Sequence, residues 1–348
     1  MFADRIEGKW IEAFSEVFAR CALKSGDSVA ILSETQSRQL NVQLAELAAL
    51  RLGARPFHVV VPSPRNRHPV PVRSTGASEA IGKLAPVVTA LGQAGFVVDC
   101  TIEGLMHAPE TPAILKAGAR ILVISNEHPE ALERMAPDDQ LEARVRAASK
   151  MLRAARRMTV ASAAGTKLEI DMTGASTVGV WGWTDRPGTL AHWPGGIVVS
   201  FCRSGSVNGT LVLDRGDINL TFKRYLETPL RLTLEADYVT GIEGVGTDAE
   251  MMRGYLAAWG DREAYAVSHV GFGLNLKARY EALSMYDRQH CNGTELRAVA
   301  GNFLFSTGAN EFAGRYTAGH FDIPVMRTTI ALDDREVIKA GVLQDAFG

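Results

Sequence analysis

Near its end the chain reads Gly319-His320-Phe321-Asp322. Apolar and aromatic residues from Tyr316 to Ile330, with turn-like Gly314 and Gly319 ahead of them, predict a strand. Residues two apart in a strand share a face, so His320 and Asp322 should project together. An imidazole nitrogen beside a carboxylate oxygen makes two thirds of a facial metal site. The candidate third ligand is His269, in Ala266-Val267-Ser268-His269-Val270-Gly271-Phe272-Gly273, a strand running into glycines that allow close backbone approach. If the three meet, two neutral imidazoles and one carboxylate form the set that suits non-haem Fe(II) and leaves three cis positions open. Zinc on the same ligands would suit hydrolysis, so residue types leave the metal undecided. A hydrogen-bonded core histidine at 269 and a structural His–Asp pair at 320 and 322 remain open alternatives.

Two more histidines could serve such a centre. His107 lies in a predicted loop after the strand at 96–100, where parallel sheets place functional groups. His192 lies in Thr189-Leu190-Ala191-His192-Trp193-Pro194-Gly195-Gly196, which also reads as a loop. A neutral imidazole near a metal can take a proton from a bound hydroxyl at neutral pH; loop histidines without a role are the plainer reading. His58, His68, His128 and His290 have nothing nearby to complete a site and read as packed or solvated.

The elements that must position these residues fall into two halves. A chain of 348 residues is too long for one ordinary core. An amphipathic helix over 2–23 leads into alternating strands (28–32, 57–61, 96–99, 120–124) and helices (37–52, 77–93, 110–117, 138–157). That pattern predicts a parallel sheet covered on both faces for residues 1–158. From 159 to 348 come a hairpin and many Gly-punctuated strands (196–201, 209–213, 218–222, 230–240, 264–272, 295–306, 321–332). One clear helix, 247–259, interrupts this mainly antiparallel α+β domain. The stretch from Pro62 to Ser74 has no periodicity and reads as a long loop, a candidate lid or contact in an expected homo-oligomer.

Composition removes several function classes. Net charge is −2 with no basic block, which argues against nucleic acid. No run of eighteen apolar residues is present and the first residues mix charges, so neither a membrane span nor a signal peptide is expected and the cytoplasm is the default. Cys21, Cys100, Cys202 and Cys291 are widely spaced and read as free, buried thiols. The turn after the first strand, Ser33-Glu34-Thr35-Gln36, carries no dinucleotide fingerprint. Gly244-Val245-Gly246-Thr247-Asp248-Ala249 is better read as a turn and helix N-cap.

Three segments carry a resemblance to a known family: Pro194–Val199, Ser268–Asn275 and Gly319–Asp322. They resemble the metallo-aminopeptidases of the aminopeptidase T type, which hold two metal ions. The departures from that pattern are specific. Gly196 and His269 stand where those peptidases have glutamate ligands, and a histidine of theirs in the segment similar to Asn302–Gly308 has no counterpart. A one-metal site is what remains. The chain is accordingly identified as resembling, along its full length, the 2,5-dihydroxypyridine 5,6-dioxygenase offshoot of this fold. That resemblance implies Fe(II) on His269, His320 and Asp322, a small aromatic N-heterocycle and O₂ as substrates, and ring opening to N-formylmaleamate. It also implies His107 as the base for the 5-hydroxyl and His192 as a partner of the bound oxygen, with Trp193 or Trp183 walling the pocket. A one-metal hydrolase and a non-enzymatic binding protein on the peptidase fold are the alternatives.

Overall fold

The computed structural model describes residues 5–70, 76–345 and 347. Its first half holds α1 (Gly8–Arg20), β1 (Ser28–Glu34), α2 (Gln39–Arg51), β2 (Arg55–Val61), α3 (Ala85–Gln93), β3 (Phe96–Asp99), α4 (Thr111–Lys116), β4 (Arg120–Ile124), α5 (Pro129–Arg134) and α6 (Asp139–Ala154). The helix expected over 77–93 begins only at Ala85, with a proline in its first turn; the residues before it lie in turns and bends. Alternation along β1 explains the layers. Val29 and Ile31 pack with Phe14, Phe18 and Leu44 on one face, while Ala30 and Leu32 pack with Leu91 and Ile114 on the other. Burial on both faces is what a parallel sheet requires.

The second half continues with β5 (Arg157–Ala161), β6 (Lys167–Asp171), β7 (Ser176–Val180), β8 (Leu190–Trp193), β9 (Ile197–Phe201), β10 (Val207–Leu213), β11 (Ile218–Asn219) and β12 (Arg224–Tyr225). It then runs through β13 (Leu230–Glu235), β14 (Tyr238–Gly244), α7 (Thr247–Ala258), β15 (Val267–Gly273), α8 (Ala282–Met285) and α9 (Thr294–Ala298). Last come β16 (Phe303–Asn310), β17 (Arg315–Val325), β18 (Thr329–Leu332), β19 (Arg335–Lys339) and β20 (Val342–Leu343). An eight-stranded sheet and a five-stranded sheet, the latter in the order β17-β16-β15-β9-β7, share a core with α6 and α7. The expected sequence of a parallel α/β layer followed by antiparallel α+β structure is observed.

Four further expectations need correcting: the strand expected over 230–240 is the hairpin β13–β14, turned at Ala236 and Asp237. The segment around His192 is a strand, not a loop: β8 pairs in parallel with β4 and completes the first sheet in the order β2-β1-β3-β4-β8. The strand expected over 295–306 is the short helix α9 followed by β16. The strand expected from Tyr316 to Ile330 is two strands in different sheets, because Arg327 adopts a left-handed φ of 55° and turns the chain. Of the expected loop at 62–74, residues 62–70 are described, and 71–74 lie outside the described residues. Val70 is buried in the core of the second half, and the His68 ring lies 5.5 Å from that of Trp259. The described part of the loop therefore ties the halves together.

All four cysteines are free and buried. Gly246, at φ 80°, precedes α7 as its N-cap, as the turn reading required. Among the described residues no helix is long and apolar enough to cross a membrane.

Candidate metal centre

Strand register builds the site. Along β17, Phe321, Ile323 and Val325 enter the core, so His320 and Asp322 face the other way. On β16 the core residues are Phe303 and Phe305, which puts Ser306 on the same outward face as Asp322, its direct cross-strand partner. Ser306 is in turn opposite His269 on β15. A register shift between Val267 and His269 lets Val267 and Val270 both enter the core while His269 turns outward. His269, Ser306 and Asp322 thus form one row across three strands, with His320 two residues along.

The ligand atoms of His269, His320 and Asp322 all lie within 4.8 Å of one another. Asp322 Oδ1 is 3.1 Å from His320 Nε2 and 3.9 Å from His269 Nε2. Gly308, opposite His320, makes this possible. A Cβ there would stand 2.4 Å from the Gly319 carbonyl oxygen and 3.2 Å from His320 Nδ1. Tyr255 of α7 donates to the His320 carbonyl at 3.0 Å, and the Phe201 ring lies 5.3 Å from that of His269. Both fix a ligand from behind.

Two residues that sequence reasoning missed complete the carboxylate's surroundings. Ser306 donates to Asp322 Oδ1, and Arg297 Nε donates to Oδ2 at 2.6 Å. Burial alone would raise the Asp322 pKa, but Arg297, then His320 and His269, hold it well below the usual carboxylate range. Burial pushes His269 down to about 3, against the opposing pull of Asp322. At neutral pH the set is therefore a carboxylate facing a neutral His269, the protonation states a cation needs. His269 turns Nε2 toward Asp322, while its Nδ1 is buried with no hydrogen-bond partner among the described residues; a buried carboxylate between two imidazoles is a donor set of the kind a divalent metal takes. By this test the residues fit a divalent metal.

The first half supplies the remaining histidines. Buried Asp99 shapes the loop that carries His107: it accepts from Thr101 N at 2.9 Å and from Leu105 N at 2.7 Å. His107 N donates to the Gly76 carbonyl at 2.8 Å. Surrounding protein pushes His107 toward about 4; the charge on His320 adds to the fall and Asp322 opposes it. The residue lies at the surface, and a ring shifted in that direction is neutral at pH 7.

His192 is buried at 4% exposure, and burial lowers it to about 4, with the Pro194 carbonyl opposing and Arg297 and His107 adding to the fall. Its Nδ1 lies 2.7 Å from the Pro194 carbonyl oxygen, which can only accept, so Nδ1 carries the proton and Nε2 keeps a lone pair. His107 thus senses the charges of His320 and Asp322, and His192 those of Arg297 and His107.

The two tryptophans do not wall this space. Trp193 is fully buried, 4.9 Å from Phe14, and its indole donates to the Met135 carbonyl. Trp183 lies in the same first-half core, under Arg20. Alternation along β8 sends Trp193 to the face opposite His192. The other histidines have structural partners. His58 is 3.3 Å from Glu46, and His68 is 3.3 Å from Glu79. His128 stacks on Tyr286, and His290 Nδ1 lies 2.7 Å from Arg38.

Comparison with known proteins places this geometry in context. The family model described as NicX, 2,5-dihydroxypyridine 5,6-dioxygenase, matches residues 9–345. A 2,5-dihydroxypyridine 5,6-dioxygenase of Pseudomonas putida is 38% identical over 337 residues, 95% of this chain and 94% of that one. The solved structure of the 2,5-dihydroxypyridine dioxygenase from Pseudomonas putida KT2440 superposes with a TM-score of 0.90 at 37% identity, covering 97% of each chain. AmpT from Thermus thermophilus shares the fold, with a TM-score of 0.65 at 15% identity over 96% of this chain and 99% of that one.

Proposed function

Because the chain belongs to the 2,5-dihydroxypyridine 5,6-dioxygenase family, a family of ring-cleaving enzymes, we propose that it opens 2,5-dihydroxypyridine with O₂ to N-formylmaleamate, using Fe(II) held by His269, His320 and Asp322. The observation that carries the reading is the ligand row: two imidazoles and one carboxylate within 4.8 Å, on a fold whose peptidase relatives resemble it in shape. When bound, Fe(II) would supply a Lewis acid for the substrate hydroxyl and a one-electron partner for O₂ at adjacent positions.

The chain's own residues do the rest. Asp322, braced at both oxygens by Ser306 and Arg297, keeps one fixed orientation toward the two imidazoles. His107 is a neutral base near pH 7 and takes the proton of the 5-hydroxyl. His192 has its Nδ1 proton committed to Pro194, so its Nε2 accepts a proton or hydrogen bond rather than donating one. Holding the ring, the oxygen and the two bases in one cleft removes much of the entropic barrier. The reading carries the cytoplasm as its location and a homo-oligomer as its state, which light scattering on the purified protein would check.

The test is O₂ consumption by Fe(II)-reconstituted protein offered 2,5-dihydroxypyridine, with catechol and a dipeptide amide as controls. Uptake with the dihydroxypyridine alone, stoichiometric with loss of its ultraviolet absorbance, is expected. Turnover of the dipeptide amide without O₂ would instead establish the one-metal hydrolase.

A further inference from the structure

Arg297 reaches Asp322 from α9, a helix of five residues that is too short to hold itself in place. Within its own half Asn302 donates to the carbonyls of Leu296 and Arg297, at 3.1 and 3.0 Å, and the start of the helix is held from the other half of the molecule. Glu127, in the loop beyond the carboxyl end of β4, is 2% exposed, and its carboxylate points at the start of α9. Its Oε2 accepts from Asn292 N at 2.8 Å, and its Oε1 accepts from Gly293 N at 2.9 Å and Glu295 N at 3.3 Å. Asn41 of α2 steadies it from behind, donating to the Glu127 carbonyl at 3.1 Å. A second hold lies beside the first. Arg134 of α5 grips Glu295 of α9 through two nitrogens, at 2.7 and 3.2 Å.

We propose that Glu127 is a positioning residue for the metal centre: by capping α9 from the first half it sets Arg297, and through Arg297 the orientation of Asp322. The inference rests on the metal-centre reading and deepens it. Arg297 occupies Asp322 Oδ2, which leaves Oδ1 to the cation and makes the carboxylate a one-oxygen ligand. A loosened α9 frees Oδ2, and the carboxylate can then rotate away from the geometry set by His269 and His320. Glutamine at 127 tests this with little change of volume, because an amide cannot accept hydrogen bonds at both ends.

The measurement is affinity for Co(II), titrated into the full-length metal-free chain and followed by its visible spectrum, with Fe(II) affinity by chelator competition. Loss of a ligand's hydrogen-bond partner typically weakens metal binding about 10- to 100-fold, which is the expectation for Arg297→Ala. Glu127→Gln, one step further out, should weaken it by about 3- to 10-fold and alter the Co(II) band intensities, with Arg297→Lys between it and Arg297→Ala. The double variant Glu127→Gln/Arg297→Ala should bind no more weakly than Arg297→Ala alone, since both act through one contact. Unchanged Co(II) affinity and spectrum in Glu127→Gln, or additive losses in the double variant, would overturn the inference while leaving the metal centre intact. Wild-type protein that binds neither ion would take down both. If Glu127→Gln does not fold, Arg134→Lys, which loosens the second hold on α9, takes its place in the same cycle.

Discussion

The antiparallel sheet of the second half and the rim of the parallel sheet in the first bring histidines within electrostatic reach of Asp322 or Arg297, but they hold them by different means. His269 on β15 and His320 on β17 stand on either side of β16, with Asp322 beside them, fixed by register, by Gly308 and by packing from behind. His107 hangs from a loop shaped by Asp99, and His192 sits on an edge strand with one nitrogen tied to a carbonyl. The first arrangement is suited to holding an ion still. The second keeps two imidazoles neutral near pH 7, which under the proposed function serves to move protons. The comparison implies a division of labour between the halves, with α9 and Glu127 as the joint between them.

The sharpest way to break that division is to remove a ligand. His320→Ala or Asp322→Ala should abolish stoichiometric metal binding and, under the proposed function, lower turnover by about 10⁴-fold or more, read by metal analysis and an oxygen electrode. Asp322→Ala also removes a buried charge-assisted hydrogen bond to Arg297, so its Tm should fall as well. Removing a rim histidine should do the opposite. His107→Ala should keep its affinity for the metal and lose about 10²- to 10⁴-fold in kcat, the usual worth of a general base. A variant that instead loses its metal would move His107 into the ligand set. Gly308→Ala probes the register: a methyl group pressed against the Gly319 carbonyl should displace His320 and weaken Co(II) binding by about 10-fold, seen by titration.

The smallest effect is one of pH. His192 has a folded pKa of about 4 against an ordinary 6.5, so the unfolded chain binds its proton first as pH falls. Wild-type stability is therefore drained through that window, and a His192→Gln variant escapes the loss. The Tm of the metal-free variant relative to wild type should rise by on the order of 3 °C between pH 7 and pH 4, measured by calorimetry. A constant difference would mean that His192 is not buried as a neutral base.

What the sequence made legible follows from period and size. His320 and Asp322 could be paired because a strand repeats every two residues, and His269 stood out by the glycines after it. Ser306 and Arg297 could not be found that way. Ser306 acts through its register against Asp322, which is a tertiary fact, and Arg297 acts from a helix too short to show periodicity. His192 was misplaced in a loop because four residues followed by Pro194-Gly195-Gly196 carry little strand signal; only pairing with β4 makes them one. The broad architecture was readable because long alternating strands and helices leave few alternatives.

One feature of the first sheet bears on how the chain is made. Its fifth strand, β8, is encoded after β5, β6 and β7 of the other half, so a ribosome that has delivered residue 158 has supplied only four of the five strands. At about 5–20 residues per second, β4, complete at Ile124, waits roughly 3–14 s for β8 to end at Trp193 while antiparallel structure is already emerging. An open strand edge invites pairing with whatever other chain is near. The nascent protein thus passes through an interval of exposure on every round of synthesis, and a fragment ending at residue 158 would never leave it.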